Sequence, residues 1–363
     1  MKVQSVEIRP FILPLDKPIG FALGEIRGFG VIAVRVRSDE GLVGESIIFT
    51  LNDTRTAVLR EMVESLSPLV VGSDPGMTGA FWDRSWRSIN FIGHKGVSIM
   101  GIAALDSALW DLNAKAAGLP LSRMLGAARH SVPAYHSGGL WLSMSPAELG
   151  EQAGQMVAQG FRTIKLRLGA PTLAGDRERI RAVREAIGPE TGLMVDANQG
   201  LTESEAIRRG RMLDEFDIVW FEEPLPAWDL EGLARVKAAI ATPIASGETD
   251  YTRYAFRRML ELRAADTLMP DLQRVGGVSE FMRVARLAEA YDVPISSHLF
   301  TEMSLQLMAT LPGARFIEYM PWFETLYREP LQLENGELVV PDRPGWGFTL
   351  DEERIAHLEK KSG

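Results

Sequence analysis

The feature that most restricts how this chain can fold is a series of polar and charged residues that recur at nearly even steps. Each lies in or directly after a short apolar run, and the steps between Asp196 and His298 are 26, 26, 23 and 27 residues. Helix-like stretches separate the runs, which is the pattern of βα units around a parallel sheet. The members of the series are Lys165, Arg167, Asp196, Asn198, Glu222, Glu248, Asp271, His298 and Glu318.

A step of about 25 residues, repeated this often, predicts an α/β fold of the (β/α) barrel type. In that fold the functional groups sit at the carboxyl ends of the strands. The alternative is an ordinary α/β protein whose strands happen to end in charged residues. A single such strand would favour that alternative, but seven strands in register favour the barrel.

Length and composition exclude several classes of protein. The chain has 363 residues, enough for a barrel and a smaller domain, and its net charge of -9 argues against nucleic acid as a partner. It has no cysteine, which excludes disulfides and thiolate metal sites. No apolar run is long enough to span a bilayer, and residues 1–7 alternate like a strand instead of forming a signal peptide. We therefore expect a cytoplasmic enzyme with no membrane partner.

Residues 1–128 predict an α+β capping domain. Three antiparallel strands are expected within residues 3–13, 31–37 and 41–49, followed by helices within 54–69, 79–87 and 98–117. The barrel is expected over residues 129–319, and residues 320–363 are expected to return as turns and short strands that complete the capping domain. Residues 17–24 are glycine-rich and partly apolar, which fits either a loop that closes over a site or a plain surface connection.

Three carboxylates from successive strands predict a metal site. Asp196, Glu222 and Glu248 can converge on one point, where their charges repel unless a cation lies between them. Oxygen ligands suit Mg²⁺ first, with Mn²⁺ as a substitute. Alternation along a strand lets only one of Glu222 and Glu223 face inward, and the matched step of 26 residues selects Glu222. Asn198 shares a strand face with Asp196 and is expected to support it.

His298 is the residue best suited to remove a proton next to a carboxylate that the metal holds. The unperturbed pKa of histidine lies near roughly 6.5, and His298 occupies the strand position that matches the rest of the series. Asp271, at the end of the preceding strand, can accept a hydrogen bond from the ring and fix its tautomer. The chain's other histidines have no such context.

Several short motifs together resemble the enolase superfamily and, within it, the mandelate racemase subgroup. The likeness covers essentially the whole chain, and the set of motifs is specific although each one alone would be weak. The motifs are VDAN at residues 195–198, FEEP at 221–224, GE at 247–248, MPD at 269–271 with GGV at 276–278, and SSHLF at 296–300.

This resemblance implies a modified TIM barrel of the (β/α)7β form with an α+β capping domain, a bound Mg²⁺ and a small-molecule carboxylate substrate. It also implies a homo-oligomer. The roles that it implies are metal ligation by Asp196, Glu222 and Glu248, a base dyad of His298 and Asp271, neutralisation of the substrate carboxylate by Lys165, and donation to that carboxylate by a protonated Glu318.

One position departs from the family pattern. The family's racemases place a second lysine, the base, two residues after the first, and here that position holds Arg167. Arginine stays protonated at essentially all accessible pH, so racemisation between two bases is not expected. A reaction on one face of the substrate is still expected, because His298 can take the α-proton and return it to a departing β-hydroxyl. The expected reaction is dehydration of an acid sugar or related dihydroxy acid to a 2-keto-3-deoxy acid, with Arg167 binding a substrate oxygen.

Two alternatives stay open. A racemase or epimerase of an α-hydroxy acid is possible if Lys165 or Arg167 serves as the second acid, and an apolar mouth favours a smaller or partly apolar hydroxy acid. A metal-binding barrel without catalysis is disfavoured, because Asp271 and His298 are both present. The residues expected at the cap and mouth are Ile19, Phe21, Leu23, Ile48, Phe49, Phe91, Ile92 and Trp141.

Overall fold

The N-terminal part of the chain forms a three-stranded antiparallel sheet in the order β1–β2–β3. In this computed structural model, which describes residues 1–21 and 24–362, the strands are β1 Val3–Phe21, β2 Gly24–Ser38 and β3 Val43–Leu51. Pro10 lies opposite Ile32 on β1, an edge strand, which is where proline is tolerated within a sheet.

Both faces of this sheet are buried, which explains the long apolar runs in β2 and β3. Ile32 and Val34 pack with the helices that follow the sheet, whereas Val31 and Ala33 join the core that continues into the barrel. Those helices are α1 Thr56–Leu66, α2 Thr78–Ser88, α3 Val97–Ala116 and the short α4 Leu121–Met124, with a 3-10 turn at Ser67–Leu69.

The predicted loop at residues 17–24 is largely a continuation of the hairpin. Ile19 pairs with Ile26, and Gly20 with Glu25, after a register shift that follows Pro14. Ala22 and Leu23, the centre of the predicted loop, lie outside the described residues.

The barrel is the predicted (β/α)7β form. β10 pairs in parallel with β4 and closes the ring, while bridges from Leu268 and Ala314 to Ile295 fill the position of the seventh strand. Its strands are β4 Ser131–His136, β5 Thr163–Arg167, β6 Gly192–Asp196, β7 Ile218–Glu222, β8 Ile244–Ser246, β9 Thr267–Leu268 and β10 Ile317–Tyr319. The helices between them are α5 Pro146–Ala158, α6 Leu173–Ile187, α7 Glu203–Leu213, α8 Leu230–Ala239, α9 Thr252–Glu261, α10 Leu272–Val275, α11 Val278–Glu289 and α12 Thr301–Met308.

An apolar plug fills the barrel beneath its charged layer. Tyr135, Met194, Trp220, Ala245 and Met269 form a separate buried cluster, as the inward-facing layers of such barrels do. Met194 and Trp220 stand two residues before Asp196 and Glu222 on the same strands, so alternation places a carboxylate directly above each apolar side chain.

The C-terminal segment returns to the N-terminal sheet and ends in a helix that the sequence analysis missed. β11 Leu333–Glu334 and β12 Glu337–Val339 form a hairpin against β4, a 3-10 turn spans Glu324–Leu326, and helix α13 Glu352–Ser362 packs on β1. The signals for α13 were present, since Asp351 caps its first turn by accepting from the Arg354 N–H and lysines occupy its last turn. Across the described part of the chain, no helix combines the length and apolarity that a membrane crossing requires.

Candidate active site

Three of the predicted carboxylates meet at the carboxyl end of the barrel. Asp196 and Glu222 end the paired strands β6 and β7, and Glu248 follows β8 by two residues. Each offers a carboxylate oxygen, and these oxygens all lie within 4.8 Å of one another. Trp220 fixes Glu222 from below, because its indole Nε1–H donates to Glu222 Oε2 at 2.9 Å.

The buried Lys165 ammonium lies against two of these acids, Asp196 and Glu222, and against Glu318. Its Nζ is 2.5 Å from Glu222 Oε1, 3.3 Å from Asp196 Oδ2 and 3.2 Å from Glu318 Oε1. Burial alone would lower the pKa of Lys165, but the surrounding carboxylates raise it above its usual value. Lys165 is therefore a permanent cation that holds one edge of the acidic cluster together.

The cluster carries more negative charge than Lys165 alone can balance. Burial and the neighbouring carboxylates raise the pKa of Glu222 to about 8, even though Lys165 opposes the shift. Carboxylates that repel one another in this way are fully ionised only when a cation lies among them, and a set of oxygen ligands suits a hard divalent cation. The three carboxylates therefore fit Mg²⁺, and Asn198, which donates its amide Nδ2–H to Asp196 Oδ2 at 3.1 Å, orients one of them.

His298 and Asp271 form the predicted pair on the other side of the metal cluster. The two residues are bridged through their backbones, and His298 Nδ1 lies 2.8 Å from Asp271 Oδ2. The second Asp271 oxygen accepts from the Arg274 N–H at 2.7 Å, so α10 holds the carboxylate in place. His298 Nε2 faces inward, 3.2 Å from Glu248 Oε2.

The ring of His298 is basic in this environment. Burial lowers its pKa, but Glu248 and the hydrogen bond with Asp271 outweigh burial and raise the pKa to about 9. A cation bound to Glu248 would remove part of that negative field and bring the pKa of His298 back toward the neutral range.

Glu318, the middle residue of β10, was expected to be a protonated donor. It accepts the Leu299 N–H at 2.7 Å and lies against Lys165. Burial would raise its pKa, but Lys165 and His298 lower it to about 2, so the group is ionised in this arrangement. Glu318 would become protonated only if a ligand carboxylate replaced it as the ion-pair partner of Lys165.

Ser137 and Trp141 hold Arg167, and of these two only Ser137 was not assigned to the site by the sequence analysis. The Arg167 Nη1–H donates to the Ser137 carbonyl and its Nη2–H to Ser137 Oγ, both at 3.1 Å, and the guanidinium lies 4.5 Å from the Trp141 ring centroid. Its Nε–H has no hydrogen-bond partner among the described residues, and Asp196 Oδ2 is 3.8 Å away. Ser137 directly follows β4, so its place at a strand end was the signal for its role.

Glu223 corrects the expectation that only one of the two adjacent glutamates faces the interior. Its backbone is left-handed, with φ 36°, which breaks the strand alternation and turns its side chain into the cavity beside Glu222. Gln199 donates its amide Nε2–H to one oxygen of Glu223 at 2.6 Å. The other oxygen, Oε1, is buried without a partner in the described structure.

These groups open into a cavity of about 280 Å³ between the barrel and the N-terminal sheet. Of the residues expected at its mouth, Phe49 and Trp141 line it. Ile48 does not, because alternation turns it to the opposite face of β3, and Phe91 and Ile92 are exposed away from the cavity. Ile19 packs on the core instead, whereas the side chains of Phe21 and Leu23 lie outside the described structure. The apolar lining residues that the sequence analysis missed are Ile26, Leu51, Leu299, Met320 and Trp322.

Comparison with known proteins agrees with this geometry. The family model for the mandelate racemase / muconate lactonizing enzyme N-terminal domain matches residues 4–126, and the enolase C-terminal domain-like model matches residues 148–354. L-talarate/galactarate dehydratase of Salmonella typhimurium is 34% identical over 361 residues, covering 97% of this chain and 90% of the relative.

Two further relatives cover nearly the whole chain. Arabinonate dehydratase of Saccharolobus solfataricus is 32% identical over 345 residues, covering 92% of this chain and 91% of the relative. The crystal structure of a racemase from Streptomyces coelicolor A3(2) with bound magnesium is 33% identical, with a TM-score of 0.95, and the match covers 98% of this chain and 99% of that one.

Proposed function

Because this chain belongs to the mandelate racemase / muconate lactonizing enzyme family of the enolase superfamily, we propose that it is a magnesium-dependent dehydratase of an acid sugar or related dihydroxy acid. The relatives named as dehydratases of talarate, galactarate and arabinonate support this reaction class. The observation that carries the proposal is the asymmetry of the site, with a histidine–aspartate dyad on one side and a fixed arginine in place of a second base.

In this proposal the chain's own residues bind the substrate carboxylate and move one proton. Asp196, Glu222 and Glu248 would hold Mg²⁺, which when bound supplies a Lewis acid that makes the proton α to the carboxylate easier to remove. Lys165 lies beside the same cluster and would neutralise the substrate carboxylate, with Glu318 next to it. Mn²⁺ would replace Mg²⁺, since both accept a set of oxygen ligands.

His298 would act first as a base and then as an acid on the same face of the substrate. Its Nε2 takes the α-proton as the C2–H bond breaks, and Asp271 stabilises the imidazolium through Nδ1. The imidazolium then protonates the C3 oxygen as the C3–O bond breaks and water leaves. The enol that remains becomes the 2-keto-3-deoxy acid. The free Arg167 Nε–H would bind a substrate oxygen during these steps.

The second candidate is a racemase or epimerase of an α-hydroxy acid. The structural match to a magnesium-bound racemase favours it. It requires a proton donor on the face opposite His298, and Arg167 is poorly suited to that role because its guanidinium does not release its proton at accessible pH.

We also propose, from the family resemblance, that the protein is a cytoplasmic homo-oligomer.

Proton NMR in D₂O with Mg²⁺ and a panel of sugar acids and α-hydroxy acids tests the proposal. We expect a 2-keto-3-deoxy product, and we expect His298→Asn to lower kcat by roughly 10²–10⁴-fold, the usual contribution of general acid–base catalysis. His357→Asn, at an exposed position, is the control and should leave kcat unchanged. Exchange of the α-proton with an unchanged carbon skeleton would favour the racemase, and full turnover by the His298 variant would rule out the proposed base.

A further inference from the structure

We infer that the substrate is a monocarboxylate whose end remote from the reacting carbons is uncharged and poor in hydroxyl groups, as in a deoxy or anhydro aldonate. This inference rests on the proposed function in one respect, that the substrate's reacting carboxylate binds at Lys165 and the metal cluster. The lining of the cavity that receives the rest of the substrate determines which remote end fits.

The wall opposite the metal cluster is apolar. Ile26, Phe49 and Leu51 reach the cavity from β2 and β3, and Trp322 and Met320 close it from the segment after β10. Within the described residues, the N-terminal sheet contributes no charged side chain to this lining.

The cations that line the cavity are all on the barrel side, and each already has partners. Lys165 contacts three carboxylates, and Arg167 is held by Ser137 and Trp141. Arg274 donates from Nη1 to the Glu248 carbonyl at 3.0 Å and lies 3.9 Å from Asp271 Oδ2. A second carboxylate at the far end of a substrate would therefore lose its water against an apolar wall without gaining a cation.

Gln199, a neutral polar residue that lines the cavity, already has partners for its amide. Gln199 donates from Nε2 to Glu223 and to Thr249 Oγ1 at 2.8 Å, and its Oε1 accepts the Ala227 N–H at 3.0 Å. Among the described lining residues, the buried polar atoms without a partner are Arg167 Nε and Glu223 Oε1. A hydroxyl placed against the apolar wall of Ile26, Phe49 and Leu51 would lose its water without gaining a partner there, which opposes binding.

Calorimetric binding to the full chain with saturating Mg²⁺ tests this inference without turnover. The probes are three racemic five-carbon α-hydroxy acids that differ only at the far carbon: 2-hydroxypentanoate ends in methyl, 2,5-dihydroxypentanoate in a hydroxyl, and 2-hydroxyglutarate in a second carboxylate. We expect affinity to fall in that order, with 2-hydroxyglutarate at least about tenfold weaker than 2-hydroxypentanoate.

A substitution in the apolar wall tests the converse, that a cation added there favours a ligand with a second carboxylate. Leu51 is half-buried at the cavity edge, so Leu51→Arg places a cation there while its stem stays on the apolar surface. We expect this variant to shift the preference at least about tenfold toward 2-hydroxyglutarate. Leu51→Met, which keeps the size without the charge, is the control and should keep the wild-type order.

Equal or tighter binding of 2-hydroxyglutarate by the wild-type protein would overturn the inference, and so would the absence of binding by all three acids. The proposed dehydratase function can fail independently of this inference on the ligand. If no acid yields a keto-deoxy product while 2-hydroxypentanoate still binds best, the dehydratase proposal fails and the ligand class stands. If galactarate is dehydrated faster than galactonate, the reaction stands and the inference fails.

Discussion

At the scale of single residues, the site is a layer of charges that needs an additional cation to be fully ionised. Lys165 balances part of the negative charge, yet the pKa of Glu222 is raised to about 8 and that of His298 to about 9. Both groups therefore carry protons near neutral pH, and both contact the cluster where Mg²⁺ would bind.

Magnesium binding should consequently release protons. Mg²⁺ requires ionised Glu222 and, through Glu248, weakens the field that keeps His298 protonated, so we expect its affinity to rise as pH increases from about 7 to about 9. Calorimetry in two buffers of different ionisation enthalpy measures the protons released. An affinity that is flat over this range would mean that the acids are already ionised without the metal.

Ser137 offers a second test at this scale, because it holds both Arg167 and Glu318. Ser137→Ala removes the Oγ that accepts from Arg167 and that also bonds to Glu318, but it keeps the carbonyl contact. We expect kcat/KM to fall roughly ten- to a hundredfold, as for other groups that orient the residues of a metal site, with little change in Tm. Ser143→Ala, at an exposed position, is the matched control. Unchanged kcat/KM would show that Arg167 does not need this anchor.

At the scale of elements, helix α3 joins the N-terminal sheet to the barrel. Asp106 in α3 is fully buried and accepts the Ser279 N–H at 2.8 Å and the Ser279 Oγ–H at 2.6 Å. It therefore caps the first turn of α11, a helix of the barrel, from outside that helix. Burial raises the pKa of Asp106 to about 7 despite these hydrogen bonds.

Asp106→Ala should lower the free energy of unfolding by about 1–3 kcal/mol at pH 5, where the buried group is protonated and the cap is intact. The loss should be smaller at pH 8. Because the pKa of Asp106 is higher in the folded chain than in the unfolded chain, its contribution to stability falls as pH rises between about 4 and 7. Denaturant unfolding at both pH values measures the difference, with the exposed Asp83→Ala as control. An equal loss at both values would mean that Asp106 does not titrate in this range.

Some elements and site residues could be predicted from the sequence, and others could not. The strand ends that carry Asp196 and Glu222 were predictable because the apolar runs and their spacing are local signals. Glu223 was not, since its orientation depends on a left-handed backbone that strand alternation cannot anticipate. Residues 17–21 were predicted to be part of a loop because Pro18 and Gly20 are typical of loops, but pairing with β2 holds the segment as a strand. The apolar side chains that define the cavity come from distant segments, and only the folded chain brings them together.

At the scale of the whole molecule, the last helix is attached to the first strand. Arg9 in β1 donates to Glu352 at 2.7 Å and to Glu359 at 2.5 Å, both in α13. Ile355 and Leu358 of α13 are buried. Ahead of α13, the Trp346 indole donates to the Glu45 carbonyl in β3 at 2.8 Å.

Ile355→Ala should therefore lower the free energy of unfolding by about 2–5 kcal/mol, through lost burial and the cavity that remains. The metal cluster lies at the barrel strand ends, so Mg²⁺ affinity in the folded variant should stay near that of the wild type. Thermal and denaturant unfolding measure the loss, and His357→Ala on the exposed face of α13 is the control. Equal stability of the two variants would show that α13 is dispensable.

The attachment of α13 to β1 has a consequence for how the protein is made. Translation delivers the N-terminal sheet first, yet Trp346 and α13, which cover part of it, follow every strand of the barrel along the chain. The part of the sheet that Trp346 and α13 cover therefore stays exposed on the ribosome until the segment after the barrel has been synthesised. A nascent chain stalled after β10 should be recognised by chaperones that bind exposed apolar segments, and it should be released once α13 is available.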